Sequence, residues 1–145
     1  MQSIATLGLL ANLDRSLIEE RAIGLLECLA EQDIDAALTF LTPNARVVLG
    51  ADRRAMPFFG CYEGEAGIRR AFREIHIEYD VLAQNFRDAL VDGNRIVLRR
   101  TCRMRHRGTG KVMNVEFCDW LQFQDGFVSE LTMMPETMAL AELVD

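Results

Sequence analysis

The stretch from residue 96 to 136 constrains the fold most, because it reads as three consecutive antiparallel strands joined by short turns. Residues 96–105 lead through Arg107-Gly-Thr-Gly110 into residues 113–123, and Asp125-Gly126 then turns the chain into residues 127–134. Asp-Gly between alternating runs is a strong hairpin signal, since both central positions of a type I′ turn need positive φ. A two-residue turn there sets Phe123 opposite Val128, Leu121 opposite Glu130 and Asp119 opposite Thr132. A turn centred on Gly108-Thr109 sets Arg100 opposite Phe117 and Leu98 opposite Asp119. Side chains alternate with period two. One face therefore gathers Leu98, Cys102, Phe117, Leu121, Phe123, Val128 and Met134 together with Arg100, Asp119, Glu130 and Thr132. Charges on a core-like face are costly unless they are paired or functional. The chemistry of this chain is expected there.

The chain has 145 residues, half of them hydrophobic, enough for one domain with a sizeable core. Its formal net charge of −6, with arginines interleaved among carboxylates, argues against nucleic acid as a partner. The four cysteines Cys28, Cys61, Cys102 and Cys118 show no CxxC spacing and read as reduced thiols of a cytoplasmic protein. The apolar start, Met1 to Leu10, lacks a basic n-region and a cleavage site, so it is not read as a signal peptide. No apolar run approaches membrane-spanning length, and no membrane partner is expected.

The periodicity predicts a first helix over residues 13–30, with Ser16 and Glu19 as a capping box and Ile18, Ala22, Leu25, Leu26 and Leu29 as one stripe. Residues 1–12 form an N-terminal extension of the single domain, 1–145. Asp33 caps a short second helix carrying Ile34, Ala37, Leu38 and Leu41, which Thr42-Pro43 ends. Residues 45–49 read as a short strand, and residues 57–64 as a Gly/Pro-bounded aromatic loop. A third helix from Glu65 places Ile68, Ala71, Phe72 and Ile75 on one face. Residues 81–90 alternate weakly and end at Asp92-Gly93. Two helices, a strand, a helix and a run of antiparallel strands make an α+β chain with helices packed on one face of a curved sheet.

Several of these segments together resemble a known family. They are Glu31-Gln-Asp-Ile-Asp-Ala-Ala-Leu38, Gly60-Cys-Tyr-Glu-Gly64 entering Ile68-Arg-Arg-Ala-Phe72, Val91-Asp-Gly-Asn-Arg-Ile-Val-Leu98 and Phe123-Gln-Asp-Gly126. Their order and spacing are similar to the SnoaL-like branch of the nuclear transport factor 2-like superfamily, over about residues 13–140. The resemblance implies a cone (a cystatin-like α+β barrel) in which a strongly bent antiparallel or mixed sheet wraps around N-terminal helices. It also implies a deep apolar pocket at the open end. It does not imply one activity, since members include polyketide cyclases, ketosteroid isomerases, limonene epoxide hydrolases and scytalone dehydratases.

Asp119 is the sharpest candidate for catalysis, because a carboxylate in an apolar pocket can act as general acid or base near neutrality. Arg100 would orient it or bind an oxyanion, and Glu130 would tune the pair. The trio is similar in kind to the Asp–Arg–Asp arrangement of limonene epoxide hydrolases, although Cys102 stands two residues from Arg100 where those enzymes carry Asp. The competing reading is a buried ion network that fixes register and does nothing else. Tyr62, His76, Phe117, Leu121, Thr132 and Met134 are the candidate ligand contacts, with Tyr62 at the rim the family implies, and Tyr79 is a further possibility. A tyrosine so placed is more often an aromatic plug, and a lone histidine at a helix end more often a surface or capping residue. His106, between Arg105 and Arg107 at a hairpin tip, is expected to be exposed. No His/Asp/Glu cluster has metal spacing, and there is no P-loop or dinucleotide fingerprint, so neither metal nor cofactor is expected. The resemblance further places Met134, Pro135 and Glu136 where the family's terminal strand carries aromatics and an Asp.

The opposite sheet face carries Val97, Cys118, Trp120, Phe127, Leu131 and Met133. An apolar patch centred on Trp usually marks an interface, and in the family this face commonly pairs with its copy. The expectation is a homodimer with a small-molecule pocket. Its function would be cofactor-free proton transfer (isomerase, cyclase or hydrolase) on an apolar ligand, or else non-catalytic ligand binding or dimerisation.

Overall fold

The computed structural model describes residues 4–50 and 60–144. Side chains of residues 4–14 and of Thr137 are outside that description, as are residues 57–59 of the predicted aromatic loop. The elements run α1 (Ile4–Ala30), α2 (Ile34–Leu38), β1 (Leu41–Leu49), β2 (Gly60–Glu63), α3 (Gly64–Glu78), β3 (Tyr79–Asp92), β4 (Arg95–His106), β5 (Val112–Gln124), β6 (Phe127–Pro135) and α4 (Thr137–Val144). The six strands form one curved, unclosed sheet in the order β2-β1-β6-β5-β4-β3. β1 and β6 are parallel and every other pair is antiparallel.

α1 starts at Ile4 rather than near Leu13, so Ser16 lies inside the helix and caps nothing. Its inward stripe is the expected one, with Ala22, Leu25, Leu26 and Leu29 buried. Gln32 ends it in the left-handed region at φ 63°, and the Asp33 amide reaches back to the Cys28 carbonyl at 2.9 Å, the pattern of a Schellman cap. Asp33 then accepts from the Ala36 amide at 3.1 Å and starts α2. Leu41, Thr42 and Pro43 belong to β1 instead of α2. Pro43 is accommodated because the β1–β6 pairing is irregular between Leu41 and Arg46, where a missing N–H costs no ladder bond.

β4 and β5 alternate as expected, with Arg100 opposite Phe117 and Leu98 opposite Asp119. The β5–β6 turn is also as expected, Asp125 and Gly126 having φ of 52° and 83°. Beyond it the register departs from expectation. Phe123 pairs with Val128 but Gln122 pairs with Glu130, so Ser129 is an extra residue, a β-bulge. Its hydroxyl donates to the Gln122 carbonyl at 3.2 Å. A slip of one residue exchanges the two faces of everything that follows. Leu131, Met133 and Pro135 turn inward, and Glu130, Thr132 and Met134 turn outward.

The sequence reading missed α4. Ala139, Leu140 and Leu143 form its buried stripe, and it packs on β4 and β5. The Thr109 hydroxyl, in the β4–β5 turn, donates to the Leu143 carbonyl at 2.6 Å and ties down its end.

Candidate functional site

Alternation along β4 and β5 aims Arg100 and Asp119 into the space between the sheet and the helices. Arg100 is 3 % exposed and Asp119 0 %. The guanidinium meets the carboxylate side-on: Nε donates to Oδ2 at 2.5 Å and Nη2 to Oδ1 at 3.2 Å, the bidentate geometry of a strong ion pair. Nη1 donates to Gln84 Oε1 at 3.2 Å and to Cys102 Sγ at 3.1 Å, and the guanidinium carbon lies 4.3 Å from the centre of the Phe117 ring. Gln84 passes the connection on, its Nε2 donating to the Leu26 carbonyl at 3.3 Å and so joining the sheet to α1. Burial works against the Arg100 charge, but Asp119 and the hydrogen bonds outweigh it and hold the guanidinium above its ordinary pKa. Burial raises the Cys102 thiol pKa, with Arg100 opposing.

A cavity of ≈ 40 Å³ lies beneath α4, with Arg100, His76, Tyr79, Phe117, Met133 and Leu140 on its walls. It has room for a few water molecules and is far below the roughly 300–1,000 Å³ of a small-ligand site. Asp119 is not among its lining residues, whereas its partner Arg100 is. Tyr79 is 1 % exposed, its ring 5.3 Å from that of His106, and burial, with Glu78 adding, pushes its pKa up to about 12.

His76, half-buried near the end of α3, has its Nε2 2.9 Å from the Leu29 carbonyl. A carbonyl only accepts, so Nε2 carries the proton and Nδ1 presents a lone pair. Burial lowers the His76 pKa, with Arg107 nearby acting in the same direction, against the hydrogen bond to Leu29. Burial thus favours the neutral imidazole, the form in which Nδ1 is the basic nitrogen.

Of the residues expected at the site, Arg100, His76 and Phe117 line this cavity. Asp119 and Leu121 are buried on the same sheet face but set back from it. Tyr62 stays on the inner face of edge strand β2, under Arg70, away from the cavity. Glu130, Thr132 and Met134 are corrections. The bulge sends all three to the outer face, where they border a hollow beside Trp120. Leu131 and Met133, expected outside, are inside for the same reason. His106 is buried, not exposed: Nε2 lies 2.8 Å from Glu78 Oε2, and Nδ1 accepts from the Thr109 amide at 3.1 Å. Gln84 and Leu140 were not anticipated as part of the site, and Cys102, expected on the Arg100 face, was not anticipated as a hydrogen-bond partner of Arg100. Period-two alternation is the signal for Cys102, which follows Arg100 on the same face, whereas Gln84 pairs with Cys102 across a β3–β4 ladder whose two irregularities leave no mark in the sequence. Among the described residues no group of His, Cys, Asp and Glu is arranged to hold a metal ion.

The outer face is banded. Register partners place Leu90, Val97, Trp120, Thr132, Val48 and Cys61 in one row across all six strands. The adjacent row runs Asp92, Arg95, Gln122, Glu130, Arg46 and Glu63. Trp120 is 49 % exposed and Leu90 73 %.

A curved, unclosed sheet over N-terminal helices, with a buried charged pair beside a small interior cavity, places the chain in a class of α+β proteins. The chain belongs to one family of that class: residues 22–131 match the model of the SnoaL-like domain. Solved structures agree on the fold. A nuclear transport factor 2-like protein from Burkholderia xenovorans superposes with TM-score 0.73 at 11% identity, covering 90% of this chain and 98% of that one. A protein described as a polyketide cyclase, from Xanthomonas campestris pv. campestris, gives 0.73 at 16% identity over 91% and 99%. One described as an isomerase, from Rhodopseudomonas palustris, gives 0.73 at 20% identity over 85% and 91%. No curated protein sequence matches this chain. None of the described helices is long and apolar enough to cross a membrane.

Proposed function

We propose that this chain binds a small, mostly apolar molecule in the interior beneath α4 and transfers a proton on it without a cofactor. The observation that carries this reading is the pairing of Arg100, a fixed cation, with His76, a neutral base, on the walls of one apolar cavity. His76 Nδ1 takes the proton next to a ligand carbonyl, and the spare N–H of Arg100 meets the oxygen that becomes negative. Four of the five guanidinium N–H groups are already spent on Asp119, Gln84 and Cys102. Asp119 thus becomes a positioning residue for Arg100, and Glu130 takes no part. A substrate enters by displacing Leu140 of α4 and Met133. The SnoaL-like membership and the neighbours described as isomerase and cyclase support a small-molecule reaction of this kind.

The test is proton exchange at the α-carbon of 2-indanone in D2O, followed by NMR. The wild type should exchange the ketone's α-protons faster than buffer, and His76→Gln should return the rate to the buffer value. Exchange no faster than buffer in the wild type, or unchanged in His76→Gln, overturns the reading. A second reading, a ligand-binding or dimerisation module with structural charges, is favoured by the ≈ 40 Å³ size of the cavity. It predicts no exchange.

We further read the chain as one domain, paired with its copy through the apolar row around Trp120. An alternating charged row beside an apolar one is self-complementary under two-fold rotation. Leu131 and Met133 leave that interface, while Val97 and Trp120 stay in it. The four free thiols fit a reducing, cytoplasmic setting.

A further inference from the structure

We propose that the groove between α1 and the β3–β4 and β5–β6 turns is a second binding site, for a small organic acid with an apolar body and a single carboxylate. Its volume is ≈ 960 Å³, the size of a small-ligand site, and it shares no lining residue with the cavity beneath α4. It stands independently of the reaction proposed above.

Leu17, Ile18, Val91 and Phe123 give the groove its apolar surface, and Arg15 and Arg21 its charge. Arg21 is held from three sides. Its Nε donates to the Gly126 carbonyl at 2.6 Å, and its guanidinium carbon lies 5.0 Å from the Phe40 ring centre and 5.1 Å from that of Phe127. Those contacts fix the guanidinium plane and leave both terminal nitrogens without a hydrogen-bond partner among the described residues. An arginine whose plane is fixed while its terminal N–H groups are unspent has lost its ordering cost in advance and is set for two-point contact with a carboxylate.

Arg15 adds a second cation, exposed and without an ion pair among the described residues. Asp125 is the only carboxylate among the described lining residues. Among the described lining residues the balance is therefore positive in a chain whose net charge is −6, which favours an anion in this groove. Two cations against one carboxylate favour a monoanion over a dianionic phosphate. The apolar surface favours an organic body over an inorganic ion.

The probe is naphthalene-2-carboxylate, titrated into the full chain and followed by amide and arginine Nε NMR signals, with inorganic phosphate as the comparison. Saturable shifts at Gly126, Asn94 and the Arg21 Nε are expected, with the Arg100 signals still. Arg21→Lys keeps the charge and loses the fork, and should weaken binding roughly tenfold, the worth of one charge-assisted hydrogen bond. Arg15→Gln, at an exposed position that leaves the fold intact, should weaken it by a smaller factor. Undiminished binding in both variants, shifts confined to the surroundings of Arg100, phosphate binding as well as the acid, or no saturation each overturns the proposal.

Discussion

Removing one member of the Arg100–Asp119 pair should be far more costly than removing both. Both side chains are buried, at 3 % and 0 % exposure, and each oxygen of Asp119 takes a hydrogen bond from Arg100. Breaking a buried pair from one side costs roughly 3–5 kcal/mol, because the survivor keeps its desolvation penalty and loses its partner. The two survivors are not equivalent. In Asp119→Leu, Arg100 still donates to Gln84 and lies over the Phe117 ring, so its charge keeps some compensation. In Arg100→Met, Asp119 keeps no hydrogen-bond partner among the described residues. Arg100→Met should therefore sit at the upper end of that range and Asp119→Leu at the lower end. The double variant should recover much of the loss, a coupling of about 2 kcal/mol or more. Urea unfolding followed by circular dichroism, with equal slopes for all four proteins, measures the cycle. Single variants within about 0.5 kcal/mol of wild type, or a double variant equal to the sum of the singles, would refute the buried pair.

The pKa of His76 is lowered in the folded chain, so the unfolded chain binds the proton more tightly. Stability is full above the unfolded value of about 6.5 and falls as pH drops below it; His76→Gln should flatten that part of a urea-midpoint profile, and an unchanged profile would exclude the group. Leu140→Ala should cost about 2–4 kcal/mol and enlarge the cavity beneath α4, measured by unfolding and by xenon uptake; a loss under about 1 kcal/mol would mean that α4 does not seal it. Trp120→Glu should shift the chain towards monomer in light scattering, and a wild type already monomeric at micromolar concentration would remove the interface. Glu130→Leu should change stability by no more than about 0.5 kcal/mol, as expected on the outer face; a gain of more than about 1 kcal/mol would return Glu130 to the core.

The sequence carried most of the fold because β4 and β5 obey one period, and that period also brought Arg100 and Asp119 together on the buried face. It failed at single residues whose effect is not local. Ser129 has no mark of its own as a bulge, yet it exchanges the faces of β6 and takes Glu130, Thr132 and Met134 out of the site. The correcting clue was energetic rather than periodic. Without the bulge, Glu130 and Thr132 face the core while Leu131 faces out, and with it Leu131, Met133 and Pro135 join Val128 in facing in. Comparing the desolvation of a carboxylate with the burial of a leucine would have favoured the bulge. α4 was illegible for a related reason. Its eight residues are too few to establish a helical stripe, and Leu140 is identified as a cavity wall only by the sheet it packs on. Alternation along a strand places a charged group on a face but does not specify its partners, and those partners decide whether it faces a ligand or is spent on a neighbour. Arg100 illustrates the point: its position was readable from a two-residue period, but its commitment to Asp119, Gln84 and Cys102 depends on three strands meeting in register.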